Sequence, residues 1–175
     1  MALPTKLPPG IQAERVQRLN SLPPSGDGKY VLYWMQRSVR TEYNHALEYA
    51  IHTANAMGLP VCVLFVLTQG YPGANERHYA FLLQGLADAL SALQRRGVRL
   101  ATRLARDGSV PAAVLRHAAD AAVLVTDRGY TRVLRGWREE VGGGAQCAVV
   151  QVCRCGVVWR RVGSNVFSDP PYLAQ

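Results

Sequence analysis

From its residues alone the chain is predicted to fold as an α/β domain. The expected form is a Rossmann-like, doubly wound, mainly parallel five-stranded sheet with helices on both faces. Three observations predict this. From Lys29 onward, short apolar runs alternate with longer segments of helical period, the pattern of successive βαβ units. Two of the runs, Val61–Leu67 and Ala121–Thr126, are almost continuously apolar, as strands covered on both faces must be. And 175 residues suffice for one such domain with a real core, with or without tails.

In chain order, residues 1–28 read as a proline-rich extension, with prolines at 4, 8, 9, 23 and 24. Between them Ile11–Leu19 is expected to form a short helix, and Pro23–Gly28 a linker. The α/β domain is assigned to residues 29–162, and residues 163–175 to the start of an interdomain linker or tail. Strand one is Tyr30–Met35. The helix after it is expected to start near Thr41, with Ala46, Leu47, Ala50, Ile51, Ala54 and Met57 as its apolar stripe. Gly58 closes it and Pro60 prevents continuation. Strand two is Val61–Leu67, followed by a loop at Thr68–Gly73 and a helix from about Asn75 to Arg95. Val98–Leu104 alternates like a strand with one more exposed face. Val110–Ala118 is a short helix that tolerates Pro111 in its first turn. Ala121–Thr126 is a buried strand, Thr131–Val141 a helix, and Cys147–Cys153 the fifth strand.

Composition limits the function classes. No apolar run approaches the roughly 20 residues of a membrane span, and the N-terminus has no signal-peptide core, so no membrane partner is expected. Cys62 and Cys147 fall in apolar runs, and Cys153-Arg-Cys155 is not a metal-type CxxC, which points to a reducing cytoplasm and no metal site. The charge of +8 comes from 20 Lys+Arg against 12 Asp+Glu. Only Lys6 and Lys29 are lysines, so the charge is almost all guanidinium, suited to phosphate and carboxylate. An acidic partner and a merely solvated basic surface both fit it.

In an open parallel sheet the loop after the first strand is a usual ligand site. Here that loop is Gln36-Arg37-Ser38-Val39-Arg40. Trp34 and Met35 at the strand's end, Arg37 and Arg40 in the loop, and Asp127 and Arg128 after the fourth strand are therefore the candidate ligand contacts. The alternative is that Arg37 and Arg40 pair with Glu42 or Asp127, and that Trp34 only packs in the core. No GxxxxGK[ST] and no GxGxxG follows the first strand, so a phosphate-cradling loop is absent. His78 has no Ser or Cys placed as its nucleophile and reads as part of a helix start; no catalytic residue is assigned.

Two stretches resemble a known family. Tyr33-Trp34-Met35, Arg37, Arg40, Asn44, Ala46 and Leu47 resemble the YWM-x-R-x-x-R-x-x-x-N-x-A-L signature of class II DNA photolyases. Ala74, Arg77-His78-Tyr79, Phe81, Leu83, Gly85 and Leu86 resemble that family's A-x-x-RHY-x-F-x-L-x-GL stretch. Val149–Val152 and Val162–Asn165 are similar to the last strand of its N-terminal domain and the segment after it.

The resemblance implies the N-terminal domain of a cyclobutane pyrimidine dimer photolyase. In such enzymes fully reduced FAD, excited by blue light, gives an electron to the dimer in damaged DNA. The N-terminal domain often holds an antenna chromophore, a deazaflavin or a folate. A helical C-terminal domain holds the FAD, the flipped-out dimer and the electron-transfer tryptophans, to which Trp137 and Trp159 do not correspond. Val166–Gln175, with Asp169-Pro170-Pro171, leaves no room for that helical domain, so the chain alone is expected to lack FAD and repair activity. The face such a domain would cover is expected to favour self-association, and any DNA binding by this chain to be weak and non-specific. Ser38 and Tyr43 stand where many relatives carry Asp, leaving the first loop more basic, and Cys153 and Cys155 replace a more usual polar turn. Two other readings stay open: a stand-alone nucleotide- or partner-binding domain, and non-enzymatic DNA binding driven by charge.

Overall fold

A computed structural model describes residues 2–105 and 109–153. Cys155, Trp159 and the expected linker from Gly163 lie outside the described residues. Among the described residues the sheet has six strands: β1 Val16–Arg18, β2 Tyr30–Trp34, β3 Val61–Leu67, β4 Arg99–Leu104, β5 Ala121–Asp127 and β6 Ala148–Val152. Their spatial order is β1-β6-β5-β2-β3-β4, and every neighbouring pair is parallel except β1 with β6. Four helices connect them: α1 His45–Met57, α2 Glu76–Arg95, α3 Val110–Ala118 and α4 Arg132–Gly144.

Strand β1 corrects the expected count of five. Ile11–Leu19 is not a helix but a 3-10 turn, Ala13–Arg15, running into a three-residue edge strand. A helix that short is marginal in water. Pairing with β6 instead satisfies an otherwise open edge, in the register Val16↔Val152, Gln17↔Gln151 and Arg18↔Val150. Asn20 extends the join, its Oδ1 accepting from Val149 N at 3.1 Å and its Nδ2 donating to Cys147 O at 3.0 Å. Pro23–Gly28 also packs against the sheet, with Ser25 N donating to Ala122 O at 2.9 Å.

Alternation along the central strands divides the core in two. Val31, Tyr33, Val63, Phe65, Val123 and Val125 meet α1 and α2 on one face. Leu32, Trp34, Leu64, Val66 and Leu124 meet α3 and α4 on the other. Both faces are covered, which is why these strands read as unbroken apolar runs.

Helix α1 begins four residues later than expected. Asn44, not Thr41, is its cap, its side chain accepting from Leu47 N at 3.2 Å. Gly58, with φ of 66°, closes the helix as the sequence suggests. At the start of α2, Asn75 and His78 form a reciprocal capping box: His78 N donates to Asn75 Oδ1 at 3.3 Å, and Asn75 N to His78 Nδ1 at 3.2 Å. His78 is thereby a structural residue of the helix start.

Candidate functional site

From β2 the chain crosses through α1 to β3 on one side, while β5 lies on the other side of β2. Strand order therefore reverses between β2 and β5, and the loops at their carboxyl ends diverge to open a crevice. The first loop carries Gln36–Arg40 and the second Arg128–Tyr130.

Asp127 holds the first loop in place. It is 3% exposed, and its Oδ2 accepts from three successive backbone amides, Gln36 at 3.1 Å, Arg37 at 2.9 Å and Ser38 at 3.0 Å. Its Oδ1 accepts from the Tyr33 hydroxyl at 2.7 Å, which in turn accepts from Asn44 Nδ2 at 3.0 Å. Asn44 also donates to Arg40 O at 3.0 Å, so one network ties β2, β5, the loop and the cap of α1. Burial raises the Asp127 pKa against the opposing pull of the Ser38 amide, the Tyr33 hydroxyl and the Arg37 and Gln36 amides. Burial, then the Asp127 charge, pushes the Tyr33 hydroxyl well above its usual range, so it stays a donor.

Above this base lies a cleft of about 460 Å³ between the carboxyl ends of β2 and β3 and the first turns of α2 and α4. Trp34, Met35 and Phe65 contribute to its floor, Tyr71 and Trp137 to its wall, and Arg37 to its rim. The Tyr71 and Trp137 rings meet edge to face, with centroids 6.0 Å apart and planes at 72°. Tyr79 OH donates to Thr68 O at 2.8 Å, pinning the start of α2 to the loop after β3.

Of the six expected contacts, Trp34, Met35 and Arg37 line this cleft. Arg128 lies beyond Tyr130, whose ring it shares with Arg37. Asp127 sits beneath the loop and is occupied by it, while Arg40 Nη2 turns to Tyr43 O at 3.0 Å. The expected alternative of an Arg37–Asp127 ion pair is not formed; the carboxylate takes the Arg37 backbone instead.

Tyr71 and Tyr130 were not singled out by sequence, and Trp137 was named only as no electron-transfer tryptophan, not as a ligand contact. Tyr71 lies in the loop after strand two, a position that signals a site, but Trp137 looks like any apolar residue of an amphipathic helix. Arg138, 5% exposed, backs the site: its Nε donates to Gln151 Oε1 at 3.1 Å and its Nη1 to Gln36 Oε1 at 3.3 Å. Burial, and next the Arg128 charge, lowers its pKa from the usual arginine value. Among the described residues, no three His, Cys, Asp or Glu side chains gather as a metal site would require.

Residues 31–161 match the model of the DNA photolyase family. A deoxyribodipyrimidine photo-lyase of Methanothermobacter thermautotrophicus is 49% identical over 142 residues, covering 81% of this chain and 31% of that protein. A deoxyribodipyrimidine photo-lyase of Potorous tridactylus is 42% identical over 57 residues, 33% of this chain and 11% of the relative. The chain thus spans less than a third of the length of these relatives. Among solved structures, the universal stress protein from Archaeoglobus fulgidus in complex with dAMP is similar, with a TM-score of 0.50 and 18% identity over 73% of this chain and 98% of that one. That likeness is one of fold. The motifs of β2 and α2, the sheet they build and the match over residues 31–161 agree, and the chain belongs to the DNA photolyase family as its N-terminal α/β domain.

Proposed function

We propose that this domain serves light-driven repair of DNA by holding an antenna chromophore, a deazaflavin or a folate, in the cleft at the carboxyl ends of β2 and β3. The carrying observation is the cleft itself. Its volume of about 460 Å³ lies in the usual range for small-molecule sites. Its aromatic lining suits a flat conjugated ring: the half-buried Tyr71 and Trp137 can stack on it, the buried Trp34 and Phe65 line it from the core, and Gln36 and Arg37 offer polar contacts. Bound there, the chromophore would absorb light and pass its excitation to a flavin. The residues of this chain would bind it, fix its orientation and exclude water.

In the proposed whole enzyme, FAD and damaged DNA engage parts outside the domain boundary at about residue 162, and the domain alone has no repair activity. On this reading the chain works in the cytoplasm, and no described helix is long and apolar enough to cross a membrane. Self-association is proposed through α2, where Phe81 is 78% and Leu83 51% exposed.

Fluorescence titration of the folded chain with a 5-deazaflavin and with a reduced folate tests the antenna role. Binding by one of them, weakened about tenfold or more in Trp137→Ala by loss of a ring contact, supports it. Flat titrations of a sample with native circular dichroism would sink it. Calorimetry with AMP and ATP checks the adenine-nucleotide alternative, and heat of binding there in place of chromophore binding would favour it.

A further inference from the structure

Beside the cleft, Tyr130 has two guanidinium groups against its ring. Arg37 Cζ lies 5.8 Å and Arg128 Cζ 5.5 Å from the ring centroid. Neither guanidinium makes a hydrogen bond or ion pair among the described residues. Asp127 is the acid next to Arg128, and both of its oxygens already accept hydrogen bonds from the β2 loop and Tyr33. Glu139 acts on Arg138, and the first turn of α4 contains no acid. Arg138 adds a further positive charge behind the pair, with Gln36 and Gln151 as its neutral partners.

Two like charges drawn to one ring leave their planar donor edges available, the arrangement that receives a phosphate or carboxylate in a bidentate way. The ring fixes both side chains by cation–π contact, so less freedom is lost when an anion arrives. Arg37 belongs to the cleft rim as well as to this pair, which makes the two features one continuous surface.

We propose that Arg37 and Arg128, braced by Tyr130, form an anion clamp at the mouth of the cleft that seats a phosphate or carboxylate arm of the bound chromophore. The inference rests on the antenna reading and narrows it: the ligand is a flat ring carrying a negatively charged arm, and a neutral ring alone is a weaker ligand. The phosphate comes from a nucleotide-like side arm and the carboxylate from a glutamyl tail. Both present the same oxygen geometry to the clamp.

Two matched pairs of probes separate these cases. A ribityl 5-deazaflavin and its 5′-phosphate share one ring and differ by one phosphate; a folate with one glutamate and a folate with three differ by carboxylates. Affinities are measured by fluorescence quenching on the full chain at low and high salt. The anionic member of at least one pair is expected to bind about ten- to a hundredfold tighter, as for charge-assisted bonds. That ratio should shrink as salt rises and fall towards one in Arg128→Gln and in Arg37→Gln. Separation within the deazaflavin pair assigns the phosphate arm, and within the folate pair the carboxylate arm. Equal affinities within both pairs, or a ratio untouched by both substitutions, overturn the clamp and leave the antenna reading standing. If none of the four probes binds, both fall.

Discussion

Replacing Asp127 by alanine removes one carboxylate and releases four donors together. Three are the amides of Gln36, Arg37 and Ser38, and the fourth is the Tyr33 hydroxyl. Gln36 and Arg37 are partly exposed, so water takes over their amides. Ser38 and Tyr33 are 7% and 0% exposed, and their donors are left buried without this acceptor. Each such donor costs about 1–3 kcal/mol, giving about 2–6 kcal/mol for Asp127→Ala. Asp127→Asn keeps one acceptor oxygen and should lose about 1–2 kcal/mol. The pH dependence has a definite sign. Because burial raises the folded pKa of Asp127, its linked contribution is fully present below the unfolded value and is lost as pH rises through the folded one. The stability gap between wild type and Asp127→Asn should therefore widen as pH falls from neutral towards the usual aspartate range. Urea unfolding at several pH values, with constant m, measures both effects. A loss under about 1 kcal/mol in Asp127→Ala would refute the claim that this carboxylate organises the loop. A gap that narrows on acidification would refute the burial argument.

Other substitutions probe the rest of the domain. A Cβ placed on Gly28 would lie 2.2 Å from Ala122 N, so Gly28→Ala must shift the entry to β2 and should cost about 1–3 kcal/mol in urea unfolding; unchanged stability would show that the segment moves freely. Phe81→Glu changes a side chain that is 78% exposed, so stability should stay within about 0.5 kcal/mol while any concentration-dependent association in light scattering falls. Association unaffected by this change would exclude the α2 face as the contact.

How legible the molecule was depended on whether the signal was local. The apolar runs at Tyr30, Val61 and Ala121 marked the central strands because burial on both faces leaves no polar positions. The loop after β2 was recognisable as the candidate site because topology places ligands at such loops. Trp34, Met35 and Arg37 do line one cleft. Arg40 and Asp127 were indistinguishable from ligand contacts by sequence, since an arginine or a buried aspartate looks the same whether it faces a ligand or a backbone. Only the arrangement of three amides around Asp127 Oδ2 shows that the loop itself occupies it.

The α/β class, the order of the central elements and the position of the candidate site were legible along the chain, because each follows from periodicity and from where strands end. The remaining features came from packing. Val16–Arg18 became a strand because β6 offered an open edge, and α1 starts only after its cap Asn44 because Asp127 holds the preceding loop in a non-helical path. Trp137 and Tyr71 became neighbours, and Arg37 and Arg128 came to share Tyr130, only when strand order reversed between β2 and β5. Local pattern sets what each segment becomes, but contacts between residues some ninety positions apart exist only once the sheet has closed around them.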